Sequence, residues 1–347
     1  MKKFKIGVIG LGGAGGWVEQ IESNRCPQGK VSIVFDKNPE RTEEVAEKYK
    51  VIAARNEDEF FEADTDIIEV GTPDNFHVEH SIKAMSYGKH VVCEKPLAPT
   101  VKDCIKIVKA VKKYKKRFVT GQVCRHTPAF KLTKKLLEDK QIGDVVFMES
   151  EYYHDYSHAE GVDGWRKDPK IKREGFIGGG CHALDLIRWL VGDPVEVFCY
   201  MNHKFLTDWP TNDTGVAIFK FKNNVIGKVF VSIGVKAGYS MRTVVHGTEG
   251  SIFCDNQSDR IKMAREKYRC VANPAGRLWE IPVGVRSHDN AGEMNELIES
   301  IKKGGSPPTN EIEGTKSIMF GEAALESART GKPVRIDYTI LKKYLGE

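Results

Sequence analysis

Over the first 121 residues the apolar positions gather in short β-branched runs, at Lys5 to Gly10, Val31 to Asp36, Asp66 to Val70, His90 to Cys93 and Arg117 to Gly121. Between them, polar and apolar positions alternate with the period of an amphipathic helix. Runs this short and this apolar suit strands buried on both faces, and strands alternating with helices predict a parallel sheet covered on both sides. The helices carry their own punctuation. Pro39 stands near the start of Glu40 to Lys50, Gly88 just past Asn75 to Tyr87, and Thr100 before Val101 to Tyr114.

The rhythm changes after Gly121. An amphipathic helix, Pro128 to Asp139, precedes a long strand, Asp144 to His154, and then a Gly- and Lys-rich passage, Glu160 to Gly180, of little periodicity. A helix follows from Cys181 to Val191. From Pro194 to Cys270 strands succeed one another without intervening helices, among them Val195 to Asn202, Gly215 to Phe221, Val225 to Val235 and Arg242 to His246, which predicts an antiparallel sheet. The end is helical again, at Ala291 to Lys303 and Glu313 to Thr330. The expected fold is α/β in two parts: a doubly wound parallel sheet over 1–121, and over 122–347 an α/β domain with a large, mainly antiparallel sheet.

Charge and cysteine usage narrow the class. Fifty-three Lys plus Arg against 48 Asp plus Glu leave +5, spread along the chain with no basic stripe beyond Lys112-Lys113 and Lys115-Lys116, so no nucleic-acid partner is expected. Eight single cysteines without a C-x-x-C pair point to a reducing compartment, and the expected location is the cytoplasm. The opening Met1-Lys2-Lys3 and its apolar run are broken by glycines at once, which reads as a buried strand rather than a secretion signal, and no apolar run approaches the ~20 residues of a membrane span.

Gly10-Leu11-Gly12-Gly13-Ala14-Gly15 fits G-x-G-x-x-G directly after a strand and at the opening of a helix, with Asp36 ending the second strand 21 residues beyond Gly15. In that context the glycines let backbone N–H groups approach a pyrophosphate, which the helix N-terminus favours. Asp36 accepts from the adenosine ribose hydroxyls and repels a 2′-phosphate, so NAD is expected over NADP, with Lys37 blurring the preference. Ligands of open α/β sheets lie beyond the carboxyl ends of the strands, where Gly71-Thr72-Pro73 and Glu94-Lys95-Pro96 fall. A lysine there can bond the reacting hydroxyl with its pKa lowered by desolvation, or it can be a solvated partner of Glu94.

Together the fingerprint, Thr72-Pro73-Asp74-Asn75-Phe76-His77, Gly88-Lys89-His90-Val91-Val92-Cys93-Glu94-Lys95-Pro96 and His246-Gly247-Thr248-Glu249-Gly250 resemble the Gfo/Idh/MocA oxidoreductases along nearly the whole chain. The resemblance implies an N-terminal Rossmann domain and a C-terminal α/β domain whose open sheet joins subunits into a homodimer or homotetramer. It also implies NAD(P)-dependent redox chemistry on a sugar, sugar derivative or cyclitol. Lys95 becomes the catalytic lysine, and Thr72, Pro73, Asn75, His77, Glu94 and Gln122 stand beside the cofactor. His182, in Gly178-Gly179-Gly180-Cys181-His182, takes the place of the family histidine, a base titrating near neutrality that receives the hydroxyl proton. Four residues earlier, where many members carry aspartate, this chain has Gly178.

Either another acid or phenol near Tyr153, His154 and Asp155 replaces that aspartate, or part of the chemistry is lost. Asp185, three residues past His182, either orients its ring or pairs locally with Arg188. Gly164-Trp165-Arg166 resembles the segments that line nicotinamide and substrate, the indole being otherwise ordinary core, and Arg125 is a further substrate contact. The glycines at 178–180 admit a ligand close to the backbone or simply form a loop. His154, Asp155, His158, Cys181 and His182 match no standard zinc spacing, so no metal is expected. Two rival functions remain: a lyase or glycosidase that oxidises the sugar transiently on tightly held NAD, and a non-catalytic regulator responsive to NAD or sugar.

Overall fold

The computed structural model describes residues 3–12, 15–265, 278–285 and 288–345. Six strands, Phe4–Ile9, Gly29–Phe35, Ile52–Ala53, Ile67–Val70, His90–Cys93 and Phe118–Thr120 (β1 to β6), form an all-parallel sheet in the order β3-β2-β1-β4-β5-β6. The order reverses between β1 and β4, where a doubly wound sheet opens its crevice. Every side chain of β4 and β6 is buried, which accounts for apolar runs without alternation. The two-residue β3 and the helix Glu57–Glu62 are additions to the expected pattern; helix Val101–Tyr114 and strand His90–Cys93 fall where the sequence puts them.

Nine strands make the second sheet: Val145–Tyr153, Pro194–Asn202, Thr214–Phe221, Ile226–Ser232, Ser240–Gly247, Gly250–Asp255, Arg260–Arg265, Trp279–Pro282 and Val334–Arg335 (β7 to β15). Their order is β14-β13-β12-β11-β7-β10-β9-β8-β15. All neighbours run antiparallel except β7 and β10. The expected strand-rich region runs on to Cys270, which lies outside the described residues.

One face of this sheet packs under the helices, with Met148, Tyr152, Ala217, Phe219 and Val229 in a core shared with Leu184, Ile187 and Phe320. The other face carries Tyr200, Val216, Ile218 and Ile226, all exposed. They lie side by side, because Tyr200 pairs with Val216 and Ile226 with Lys220, two positions beyond Ile218 on the same strand face.

Two C-terminal helices pack back against the layers of the first sheet. Helix Asn290–Lys303 sends Ala291, Met294, Leu297 and Ile298 into one cluster with Trp17, Val18 and Ile21 of the first sheet's layer. Helix Glu311–Thr330 contributes Ile318 to one core and Phe320 and Ala324 to the other. Among the described residues no helix is long and apolar enough to cross a membrane, and the seven cysteines there are free thiols.

Candidate active site

The glycine turn is built for close approach. Gly10 has φ +88°, and a Cβ there would stand 2.6 Å from Thr72 N, so the two loops at the carboxyl ends of β1 and β4 touch backbone to backbone. Asp36, 7% exposed, accepts from Leu11 N at 2.7 Å, Asn38 N at 2.9 Å and Arg41 Nη1 at 3.0 Å. A strand, an open glycine turn, a helix beginning at Gly15 and a fixed carboxylate at the end of β2 together suit a dinucleotide. Gly13 and Ala14 lie outside the described residues. Lys37 reaches across the groove to Asp163 at 2.9 Å, an exposed pair that contributes little energy. Val162 beside it lies over the turn, its Cγ2 2.7 Å from where a Gly12 Cβ would be.

Behind the turn two side chains hold the loops in register. Trp17, fully buried on the first helix, donates its Nε1 proton to Glu94 Oε1 at 2.8 Å, and Glu94 Oε2 accepts from Lys95 N at 3.2 Å. His77 places Nδ1 2.8 Å from Pro96 O and Nε2 2.9 Å from Thr72 O. Two carbonyl acceptors need two N–H donors, so this ring is an imidazolium. Burial opposes the charge, but Cys93, Asp74 and the Pro96 carbonyl outweigh it and lift the pKa to about 10. Asn75 is exposed on the 3₁₀ turn, while its neighbour Asp74 is buried.

Lys95 stands at the centre of a desolvated cluster. Burial pulls its pKa down as the sequence leads one to expect, yet Cys181, Tyr156 and Glu94 more than offset this and the net shift is upward, so the group stays an ammonium. Its charge is felt by His182, Cys181, Tyr156 and His154. His182, 1% exposed on the first turn of helix Cys181–Val191, is held well below the ordinary histidine value by burial first and by Lys95 next. It is a neutral imidazole at pH 7, not one titrating near neutrality, and its Nδ1 has no hydrogen-bond partner. Its ring lies 6.0 Å from Tyr152 and 5.7 Å from His288.

Several side chains lie elsewhere than the sequence suggests. Asp185 is occupied by Arg125, whose Nε and Nη2 reach its two oxygens at 2.7 Å each; Ser317 donates to Oδ1 at 3.0 Å, and Arg188 stands 3.5 Å away. Arg125 also binds Glu313 at 3.0 Å and the Pro308 carbonyl. Both Asp185 and Arg125 are buried struts that join helix Cys181–Val191 to helix Glu311–Thr330, so Asp185 does not reach the His182 ring nitrogen left unpaired. Tyr153 follows inward-facing Tyr152 on β7 and therefore points to the opposite face. Asp155 is turned outward, bonding Ser157 and Lys236. Gln122 is buried with Oε1 unpartnered.

The residues near Lys95 that sequence reasoning missed are Tyr156, Tyr152, Arg173 and Asp74. The Tyr152 and Tyr156 hydroxyls are 2.9 Å apart, and His154 meets Tyr156 edge-on at 5.0 Å. Arg173 binds Asp74 Oδ2 through Nε at 2.7 Å. Its guanidinium fills the space at Gly178: a Cβ there would stand 2.3 Å from Cζ. Likewise a Cβ on Gly179 would press on Tyr152 at 2.7 Å, and one on Gly180 on the Phe176 carbonyl at 2.2 Å. The glycine run thus makes room for the protein's own side chains, which is a different role from admitting a ligand to the backbone. Among the described residues no three His, Cys, Asp or Glu side chains gather as a metal site.

Two outcomes follow for stability. Asp185→Asn leaves Arg125 and Arg188 under-compensated and should cost about 3–5 kcal/mol in urea denaturation, with kcat falling no more than the loss of folded protein explains. Since the His77 pKa is raised from 6.5 to about 10, its contribution is full below pH 6.5 and is lost as pH rises toward 10. Melting temperature should therefore decline across that window, and His77→Asn should flatten the decline; an unchanged profile in the variant would refute the imidazolium.

Comparison with known proteins identifies the family and the fold. Residues 4–122 match the model of the oxidoreductase family with an NAD-binding Rossmann fold, and residues 130–253 match the GFO/IDH/MocA C-terminal domain. Levoglucosan dehydrogenase of Pseudarthrobacter phenanthrenivorans is 26% identical over 340 residues, covering 85% of this chain and 87% of its own. The scyllo-inositol 2-dehydrogenase (NAD(+)) of Bacillus subtilis is 25% identical, with 99% of both chains covered. The structure of a levoglucosan dehydrogenase in complex with NADH and L-sorbose superposes with a TM-score of 0.85 at 24% identity, covering 97% of this chain and 100% of that one. The chain is a member of the Gfo/Idh/MocA family of NAD-binding oxidoreductases.

Proposed function

We propose that this protein is an NAD-dependent dehydrogenase or reductase of a sugar, sugar derivative or cyclitol, with the carbinol held between Lys95 and His182. NAD, when bound, supplies the hydride acceptor for the carbinol carbon. Gly10, Gly12, Gly15 and Asp36 of the 1–121 portion hold its adenosine and pyrophosphate, with Thr72, Pro73, Glu94, Gln122 and Trp165-Arg166 around the remainder. Residues 122–347 furnish the substrate side.

The observation that carries the reading is one buried cluster that holds the Lys95 ammonium together with a His182 ring that is uncharged at rest and has Nδ1 unpartnered. Lys95, kept charged, donates to the substrate oxygen and stabilises its alkoxide character as the C–H bond breaks. It acts as a donor and not as a base. His182, kept uncharged, receives the hydroxyl proton at Nδ1, the ring atom without a partner. Tyr156, whose hydroxyl pairs with that of Tyr152 and lies in the field of Lys95, takes the supporting place for which an acid or phenol among Tyr153, His154 and Asp155 is the expectation from sequence.

Two further readings belong to this proposal. The exposed Tyr200, Val216, Ile218 and Ile226 form a subunit interface in a homodimer or homotetramer. Static light scattering should return a mass of two or four chains, and Ile218→Lys with Val216→Lys should reduce it. Free, buried thiols support a cytoplasmic setting.

Activity is read as absorbance at 340 nm with NAD+ and a panel of anhydrosugars, inositols and sugar acids. His182→Ala should lower kcat about 10²- to 10⁴-fold, and Lys95→Ala comparably, with NADH binding by fluorescence retained. Variants as active as the parent chain would remove both assignments.

A further inference from the structure

Arg173 itself takes no part in the reaction just described. The residue is 7% exposed, and Asp74 takes only Nε. Nη1 is enclosed and has no partner. Arg166 repeats the situation from the other side, donating through Nη1 to the Ala159 carbonyl at 3.1 Å while its Nε is enclosed and unpartnered. The two guanidinium carbons lie 4.9 Å and 5.2 Å from the centre of the same Trp165 ring. Burial and the presence of Arg173 each make the Arg166 charge harder to hold.

The charge facing this space is one-sided. Lys95, Arg166 and Arg173 are cations, and His182 and His154 are neutral rings. Asp74 is already bound to Arg173, and Glu94 is turned to Trp17 and the Lys95 backbone. Glu293, the other carboxyl in the field of Lys95, is buried without a partner for Oε1 and pushed well above the usual carboxylate range, so it brings no negative charge. The hydroxyls of a neutral polyol can accept from these donors but leave their buried charge uncompensated, whereas a carboxylate matches a guanidinium edge with two parallel charge-assisted hydrogen bonds.

We infer that the substrate carries a carboxylate, a uronate, aldonate or related acid of the sugar or cyclitol class, bound by Arg173 with Arg166 nearby while its carbinol meets Lys95 and His182. The inference rests on the redox reading above and adds the substrate's charge. Arg173 is a specificity residue. Its charge acts on Lys95, Tyr156, Cys181 and His182, the groups proposed to meet the carbinol.

The test is calorimetric titration of the full chain saturated with NADH, so that the coenzyme's phosphates are already in place. D-glucuronate, D-galacturonate and D-gluconate are compared with D-glucose, D-galactose and D-glucitol, and turnover is followed separately at 340 nm. The acids should bind roughly 10- to 100-fold more tightly than their neutral counterparts. Arg173→Gln should erase that ratio while retaining NADH fluorescence, and Arg173→Lys should keep part of it. Equal binding of acids and neutral sugars, or an unchanged ratio in Arg173→Gln, overturns the inference, including the case in which coenzyme phosphate alone satisfies the guanidinium. If Arg173→Gln does not fold, the comparison in the unsubstituted chain decides. Turnover of neutral polyols without acid preference leaves the redox reading standing and removes this one; Arg173-dependent acid binding with no NADH formed from any compound does the reverse.

Discussion

The structure is organised around keeping one ammonium charged where water is largely excluded. Desolvation acts against Lys95, and the polar atoms drawn toward it, from Cys181, Tyr156 and Glu94, reverse the balance. Those same surroundings decide the states of the neighbours. Burial first, and then the positive charge of Lys95 itself, leave His182 uncharged at rest, and a second cation, Arg173, reinforces this. An ammonium and an uncharged imidazole thus stand in one buried cluster before any ligand enters, and the proposed donor and acceptor roles rest on that arrangement.

Such a pocket requires its walls to be held from outside. His77 bonds the carbonyls of Thr72 and Pro96, the loops that follow β4 and β5. Trp17 ties Glu94 to the first helix. On the far side Arg125, Asp185, Arg188 and Glu313 knit helix Cys181–Val191 to helix Glu311–Thr330, which itself enters both hydrophobic cores. The two halves contribute groups to one site and also share the packing that supports it.

Much of the scaffold was legible in the chain. Buried parallel strands cannot alternate, so their apolar runs stood out, and the glycine turn, Asp36 and the Lys95 loop followed from their places at strand ends. The short β3 was invisible because two residues carry no period. The site was read less fully for a related reason. Asp185 lies one turn from His182 in sequence, but its partner Arg125 is 60 residues away and only the fold brings the two together. Tyr153 was the nearest phenol along the strand, yet pleating turns Tyr152 inward, and the 3₁₀ turn Tyr156–His158 returns a second phenol to it. Arg173 sat in an aperiodic Lys-rich passage, with nothing nearby in sequence to tell it from a solvated residue.

The fit of Arg173 into the hollow at Gly178 couples the two positions sterically. A methyl group at 178 displaces the guanidinium, and a shorter side chain at 173 leaves a void beside the glycine run, so the effects of the two substitutions do not simply add.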